Sequence, residues 1–168
     1  MAFIEQDSII CFAEYQDVLD RDQRLFDANE GLSESIIESA LQRATERILT
    51  KLRASEWWIS YYVKHNGQMT YRTRADVPAL DSSRIIARQN DFTDLCVYTA
   101  MGEIILPSIA DFGDQDSSER NKMGYYINKA EALFNELITA GDWYDYNDDG
   151  TIQSTEKDPG HINLRRVR

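Results

Sequence analysis

Apolar residues recur along this chain in two rhythms, and the change between them sets the expected architecture. Ile36, Ile37, Ala40, Leu41, Ala44, Ile48, Leu49 and Leu52 fall at the spacing of one buried helical face. Ser33 stands at the cap position of that helix, with Leu32 before it and Ile37 placed to complete a hydrophobic staple. A second face runs through Met123, Tyr126, Ile127, Ala130, Leu133, Phe134, Leu137 and Ile138. Asp116 and Glu119 precede it in capping-box order, and Gly141 stops it where a C′ glycine is favoured. Ile85, Ile86, Phe92, Leu95, Cys96, Thr99 and Ile105 predict a helical block opening near Asp81 or Ser82. It is expected to break at Asn90-Asp91 and to end at Pro107 and the Asp111–Asp114 loop. Over residues 5–20, Ile9, Ile10, Phe12, Ala13 and Val18 predict a shorter helix. Asp20–Arg24 is polar, and Asp27–Gly31 reads as loop.

From Trp57 the period becomes two. Trp57, Ile59, Tyr61 and Val63 would line one face of a strand, with Trp58, Ser60 and Tyr62 on the other. Asn66-Gly67 is a strong hairpin signal, because both positions tolerate positive φ, and Gln68 to Thr73 would return with Tyr71 opposite Tyr62. A helix continuing through Tyr62 is the competing reading. An isolated pair of strands is marginal in water, so such a hairpin should lie against the helices or another subunit. Trp57, Trp58, Tyr62 and Tyr71 are therefore candidate partner-binding residues. The expected fold is mainly α: a bundle of about four helices over residues 1–141, an aromatic β-hairpin inserted at about 57–73, and a turn with an extended C-terminal arm over 142–168.

At 168 residues the chain fits one domain able to bury roughly 70% of its unfolded surface. Its net charge of −11 repels phosphates at long range and argues against a freestanding binder of DNA or anionic membrane. Arg43, Arg47 and Lys51, with Arg53 nearby, form a basic stripe that could face nucleic acid. Glu46 and the helix dipole make a solvated face the plainer reading. Cys11 and Cys96 sit in apolar helical patterns and read as buried thiols, without the spacing of a zinc site. The start Met1-Ala2-Phe3-Ile4-Glu5 lacks the features of a signal peptide, and no apolar run approaches ~18 residues. The expectation is a protein that is soluble and intracellular when made.

A catalytic reading has little to use, since His65 and His161 share no motif with a nucleophile or an acid, and an enzyme is not expected. One stretch has specific order. Asp145-Tyr146-Asn147-Asp148-Asp149-Gly150-Thr151-Ile152-Gln153-Ser154-Thr155-Glu156 matches the EF-hand calcium loop position by position. Asp145, Asn147, Asp149, Thr151, Gln153 and Glu156 are the candidate ligands, and Ca2+ is the candidate cofactor. Against this, Gly141–Tyr144 interrupts the incoming helix, Pro159-Gly160 forbids a long outgoing one, and no second loop exists. An Asx/Gly turn joining extended arms at Trp143–Tyr146 and Thr151–Gln153 is the other reading. Beyond it, Ile162, Leu164 and Val167 alternate with Arg165, Arg166 and Arg168, either as a disordered terminus or as a docking arm for an acidic partner.

This layout resembles the small helical head–tail connector (adaptor, or head-completion) proteins of tailed bacteriophages. The residues that carry the resemblance are Phe3-Ile4-Glu5 at the first helix and the capped helix Ser33 to Arg53 with Ala40-Leu41-Gln42-Arg43-Ala44. A helix near Asp91 to Ile105 and a last helix, Tyr126 to Ile138, closing at Gly141, complete it. The similarity covers residues 1–141 and is one of pattern and spacing. It implies a virion protein that forms a ring, usually of twelve copies, beneath the portal. Such a ring joins the capsid to the next neck or tail-completion protein, and DNA passes through its channel without sequence-specific contact. It also implies assembly in the host cytoplasm. The aromatic hairpin would meet a neighbouring subunit, and Ile162, Leu164, Arg165, Arg166 and Arg168 would reach the portal or an adjacent protomer.

Overall fold

A computed structural model of the chain describes residues 4–6, 9–28, 31–59, 78–110, 118–154 and 156. The described chain is mainly α. Two compact units are present, one of residues 1–48 with 88–136 and one of residues 49–87 with 137–168.

The first unit opens differently from the expected helix. Strands β1 (Ile4–Gln6) and β2 (Ile9–Cys11) pair antiparallel, with Glu5 opposite Ile10. The β-branched pair Ile9-Ile10 favours a pleated strand. The helix starts only at α1 (Tyr15–Arg21), where Glu14 and Asp17 form a capping box and the Glu14 N–H donates to Asp17 Oδ2 at 2.8 Å. Cys11 is thus a strand residue. Part of the stretches read as polar and as loop is also helical, as α2 (Gln23–Ala28).

Helix α3 (Glu34–Arg53) follows Ser33, whose carbonyl accepts from the N–H groups of Ile36 at 3.1 Å and Ile37 at 3.2 Å. Ile37, Ala40, Leu41, Ala44 and Ile48 are buried in this unit as the periodicity predicts. Ile36 is not, being 50% exposed. Arg47 in the basic stripe pairs with Glu103 at 2.7 Å.

The third block breaks earlier than predicted. Helix α4 (Gln89–Ala100) begins after Arg88, which is left-handed at φ 54, and Asp91 and Phe92 donate their N–H groups to the Arg88 carbonyl. A π turn (Met101–Ile105) and helix α5 (Leu106–Ile109) continue it. Pro107 therefore lies inside the helical run. The π turn already displaces the hydrogen-bond ladder just before it, so the proline falls in the first turn of α5, where a missing N–H costs little. The run Gln89–Ile109 is long and apolar enough to cross a membrane, with a mean hydropathy of 1.2, yet 56% of its most apolar stretch is buried inside the protein. It contributes core residues Phe92, Leu95, Cys96, Met101 and Ile105, with Phe92 meeting Phe12 edge-on at 5.4 Å.

Helix α6 (Ser118–Ala140) carries the last predicted face, with Tyr126, Ala130 and Leu137 buried along it. It ends as expected: Gly141 has φ 57 and donates its N–H to the Leu137 carbonyl at 3.0 Å. The proposed cap residue Asp116 lies outside the described residues.

In the second unit, residues 56–59 are helical, so the strand expected from Trp57 does not begin there. Ser55 starts this turn: its hydroxyl accepts from the Trp58 N–H at 3.4 Å, and its carbonyl accepts from the Ile59 N–H at 3.2 Å. The rest of the expected hairpin, including Tyr62 and Tyr71, lies outside the described residues. Asp81 caps a 3₁₀ turn (Ser82–Arg84), and Ile85 forms an antiparallel bridge to Tyr144.

Candidate functional site

Among the described residues of the second unit, the loop after Gly141 is densely hydrogen-bonded. Its base is aromatic. Trp57, Trp58, Trp143, Tyr144 and Tyr146 are all buried, and the Trp57 and Trp143 rings lie 4.4 Å apart. Trp143 is pinned by its indole N–H, which donates to the Leu137 carbonyl at 2.7 Å. Trp58 donates its own to the Pro78 carbonyl at 3.0 Å. Trp57 and Trp58, expected on opposite strand faces and offered to a partner, thus turn into one internal cluster.

On this base the loop wraps around two buried carboxylates. Asp145 is 1% exposed, and its Oδ1 accepts from the Asp148 N–H at 2.8 Å while Oδ2 accepts from the Gly150 N–H at 2.7 Å. Those bonds require a tight reversal, which Asp148 at φ 61 and Gly150 at φ 81 supply. Glu156 closes the loop from its far end. Its Oε1 accepts from the N–H groups of Tyr146 at 3.1 Å and Asn147 at 3.2 Å, and its Oε2 from that of Gln153 at 2.7 Å. Hydrogen bonds of this kind to ionised carboxylates are the strong class, and they join the start of the loop to its end.

Between them the exposed residues form a smaller net. Asp149 Oδ1 accepts from the Thr151 hydroxyl at 2.7 Å and Oδ2 from the Gln153 amide at 2.6 Å, and Asn147 Oδ1 accepts from the Asp149 N–H at 3.3 Å. The Thr151 hydroxyl bond is the main reason the Asp149 carboxyl sits below its ordinary range. All six candidate ligands are therefore brought into one loop, while Ile162, Leu164, Arg165, Arg166 and Arg168 lie outside the described residues.

The sequence reading missed Arg84. Its carbonyl accepts from the Asp145 N–H at 2.9 Å, its Nη1 donates to the Tyr146 carbonyl at 3.0 Å, and its Nη2 reaches Asp148 at 3.3 Å. The Ile86 and Ala87 N–H groups add bonds to the Trp143 carbonyl. No local pattern signals this, since Arg84 is far from the loop in sequence.

Calcium needs several oxygens converging on one point. Among the described residues no three His, Cys, Asp or Glu side chains gather closely enough to hold a metal ion. The Asp145 and Glu156 oxygens are directed at backbone N–H groups, and in this geometry they hold the turn together. No family model, curated protein or solved structure matches the chain.

Proposed function

We propose that this protein is a structural assembly protein of the head–tail connector type, forming a ring beneath a phage portal and joining it to the neck. The observation that carries the reading is the order of helical elements: α1, then the Ser33-led α3, then α4, then α6 ending at a left-handed Gly141. That order is the one on which the family resemblance rests from Ser33 onward, while at its start Ile4–Gln6 is a strand and the first helix begins at Tyr15. The finer architecture goes with it: a bundle of about four helices, a hairpin over the remainder of residues 57–73, and a turn followed by an extended arm over 142–168. The self-satisfied loop supports an architectural role, because its carboxylates are spent on shaping the chain between Gly141 and Glu156. That shape would aim the basic end, Arg165 to Arg168, at a portal or a neighbouring copy.

Mixing the purified chain with portal rings tests this, with mass photometry and electron microscopy as readouts. A closed ring of this chain on the portal is expected, and deletion of residues 157–168 should abolish it while leaving the helical circular dichroism unchanged. Failure to bind any portal encoded beside its gene would remove the reading.

The rival reading is a small calcium-binding interaction protein, favoured by the twelve-position match of Asp145–Glu156. It requires Asp145, Asp149 and Glu156 to turn from N–H groups to a shared cation. A calcium titration of the full chain that showed saturable heat and a change in tryptophan fluorescence would put it ahead.

A further inference from the structure

The two cysteines are not separate buried thiols. Cys11 on β2 and Cys96 on α4 reach the same hydroxyl, Thr45 Oγ1 on α3, at 3.6 Å and 3.4 Å, while their thiols also meet the Ala13 carbonyl at 3.0 Å and the Leu41 carbonyl at 3.5 Å. Thr45 is fully buried and held in place: its hydroxyl donates to the Leu41 carbonyl at 2.9 Å and accepts from the Phe12 N–H at 3.2 Å. Three elements distant in sequence thus converge on one sulfur–hydroxyl–sulfur contact.

We propose that Cys11 and Cys96 are a peroxide-oxidisable pair that forms a disulfide tying the N-terminal strand pair to α4. The two sulfurs have different roles. The neighbouring Cys96 thiol draws the Cys11 pKa down to about 6, against the opposing effect of burial. Burial pushes Cys96 up, so it stays protonated. Cys11 is 2% exposed and Cys96 not at all, which selects a water-sized oxidant over a bulky disulfide such as oxidised glutathione.

The chemistry balances with hydrogen peroxide. The Cys11 thiolate attacks one peroxide oxygen, the O–O bond breaks, and the departing hydroxide takes up the proton the thiol had released, giving one water and a sulfenic acid. The Cys96 sulfur then attacks the Cys11 sulfur. The S–S bond forms, the S–O bond breaks, and the Cys96 proton leaves with that hydroxide as a second water. Both sulfurs are oxidised and both peroxide oxygens reduced.

The test treats the full native chain with a small excess of hydrogen peroxide, then digests it without reductant after blocking remaining thiols. The expected result is one covalently joined pair of peptides holding Cys11 and Cys96, a Tm raised by about 5–10 °C, and reversal of both by dithiothreitol. In Cys96→Ser, Cys11 should be captured by dimedone as the sulfenic acid, while in Cys11→Ser the Cys96 thiol should stay unmodified. Cys11 advancing to sulfinic acid in the native chain, an intermolecular disulfide, two intact thiols after treatment, or Cys96 reacting first would each overturn the proposal.

Discussion

Gly102 approaches Ile127 so closely that a methyl group on it would stand 2.9 Å from Ile127 Cγ1 and 3.0 Å from the Ile127 backbone nitrogen. The π turn and α6 therefore touch nearly backbone to backbone at this crossing. A side chain can swing away, but the nitrogen cannot move without shifting the helix.

Gly102→Ala should consequently destabilise the protein by about 1–2 kcal/mol, the overpacking cost exceeding the roughly 1 kcal/mol that alanine gains over glycine in a helix. Gly124, in α6, has nothing within 4 Å of its absent methyl. Gly124→Ala should therefore stabilise by about 0.5–1 kcal/mol. Urea unfolding of both variants checks the pair, and equal signs would contradict the close crossing.

The loop makes a second prediction. Asp145→Ala removes the acceptor for two N–H groups, and Glu156→Ala for three. Each should cost about 2–3 kcal/mol, with the near-ultraviolet circular dichroism of the Trp57–Trp143 cluster altered. Calcium should neither raise the wild-type Tm nor evolve heat, and matching calcium effects in wild type that vanish in Asp145→Ala would reverse the assignment.

Tyr126 should govern alkaline behaviour. Burial first, and then the negative charge of Asp22, push its phenol up to about 12. A raised pKa means that the folded state holds the proton more tightly than the unfolded one. The stability contributed is therefore whole below pH 10 and lost as pH climbs from 10 to about 12. Tyr126→Phe should flatten that decline in Tm, and an unchanged slope would show that another group sets it.

Thr45→Val keeps the side-chain volume but removes the buried hydroxyl that accepts from the Phe12 N–H and donates to the Leu41 carbonyl. A loss of about 1–3 kcal/mol is expected from thermal or denaturant melts, far more than an exposed threonine such as Thr50 would show.

These sites also show what the sequence reveals and where it stops. Helices α3 and α6 are legible because their signal is local: a continuous apolar face, a Ser33 start, a Gly141 stop. The first twenty residues are not. Ile9, Ile10, Phe12 and Val18 satisfy helical spacing only loosely, and Phe12, just past β2, is held by distant partners, Thr45 for its N–H and Thr93 for its carbonyl at 2.8 Å. Adjacent tryptophans look alternating on paper, yet both are buried because Trp143, Tyr144 and Tyr146 arrive from the far end of the chain. In the loop the residue types were visible, but whether a carboxylate faces a cation or an N–H depends on φ at Asp148 and Gly150 and on Arg84 behind it.

The π turn at Met101–Ile105 sets a rule of length for this part of the chain. Removing one residue there would let the ladder close as an ordinary helix, with no bond lost, and yet rotate everything from Leu106 to Ile109 by about 100° about the axis. Leu106, now fully buried, would leave its place, and α5 would end at Ile109 on a different side. Substitutions here test packing, whereas a single deletion tests phase, and the segment should tolerate none of the second.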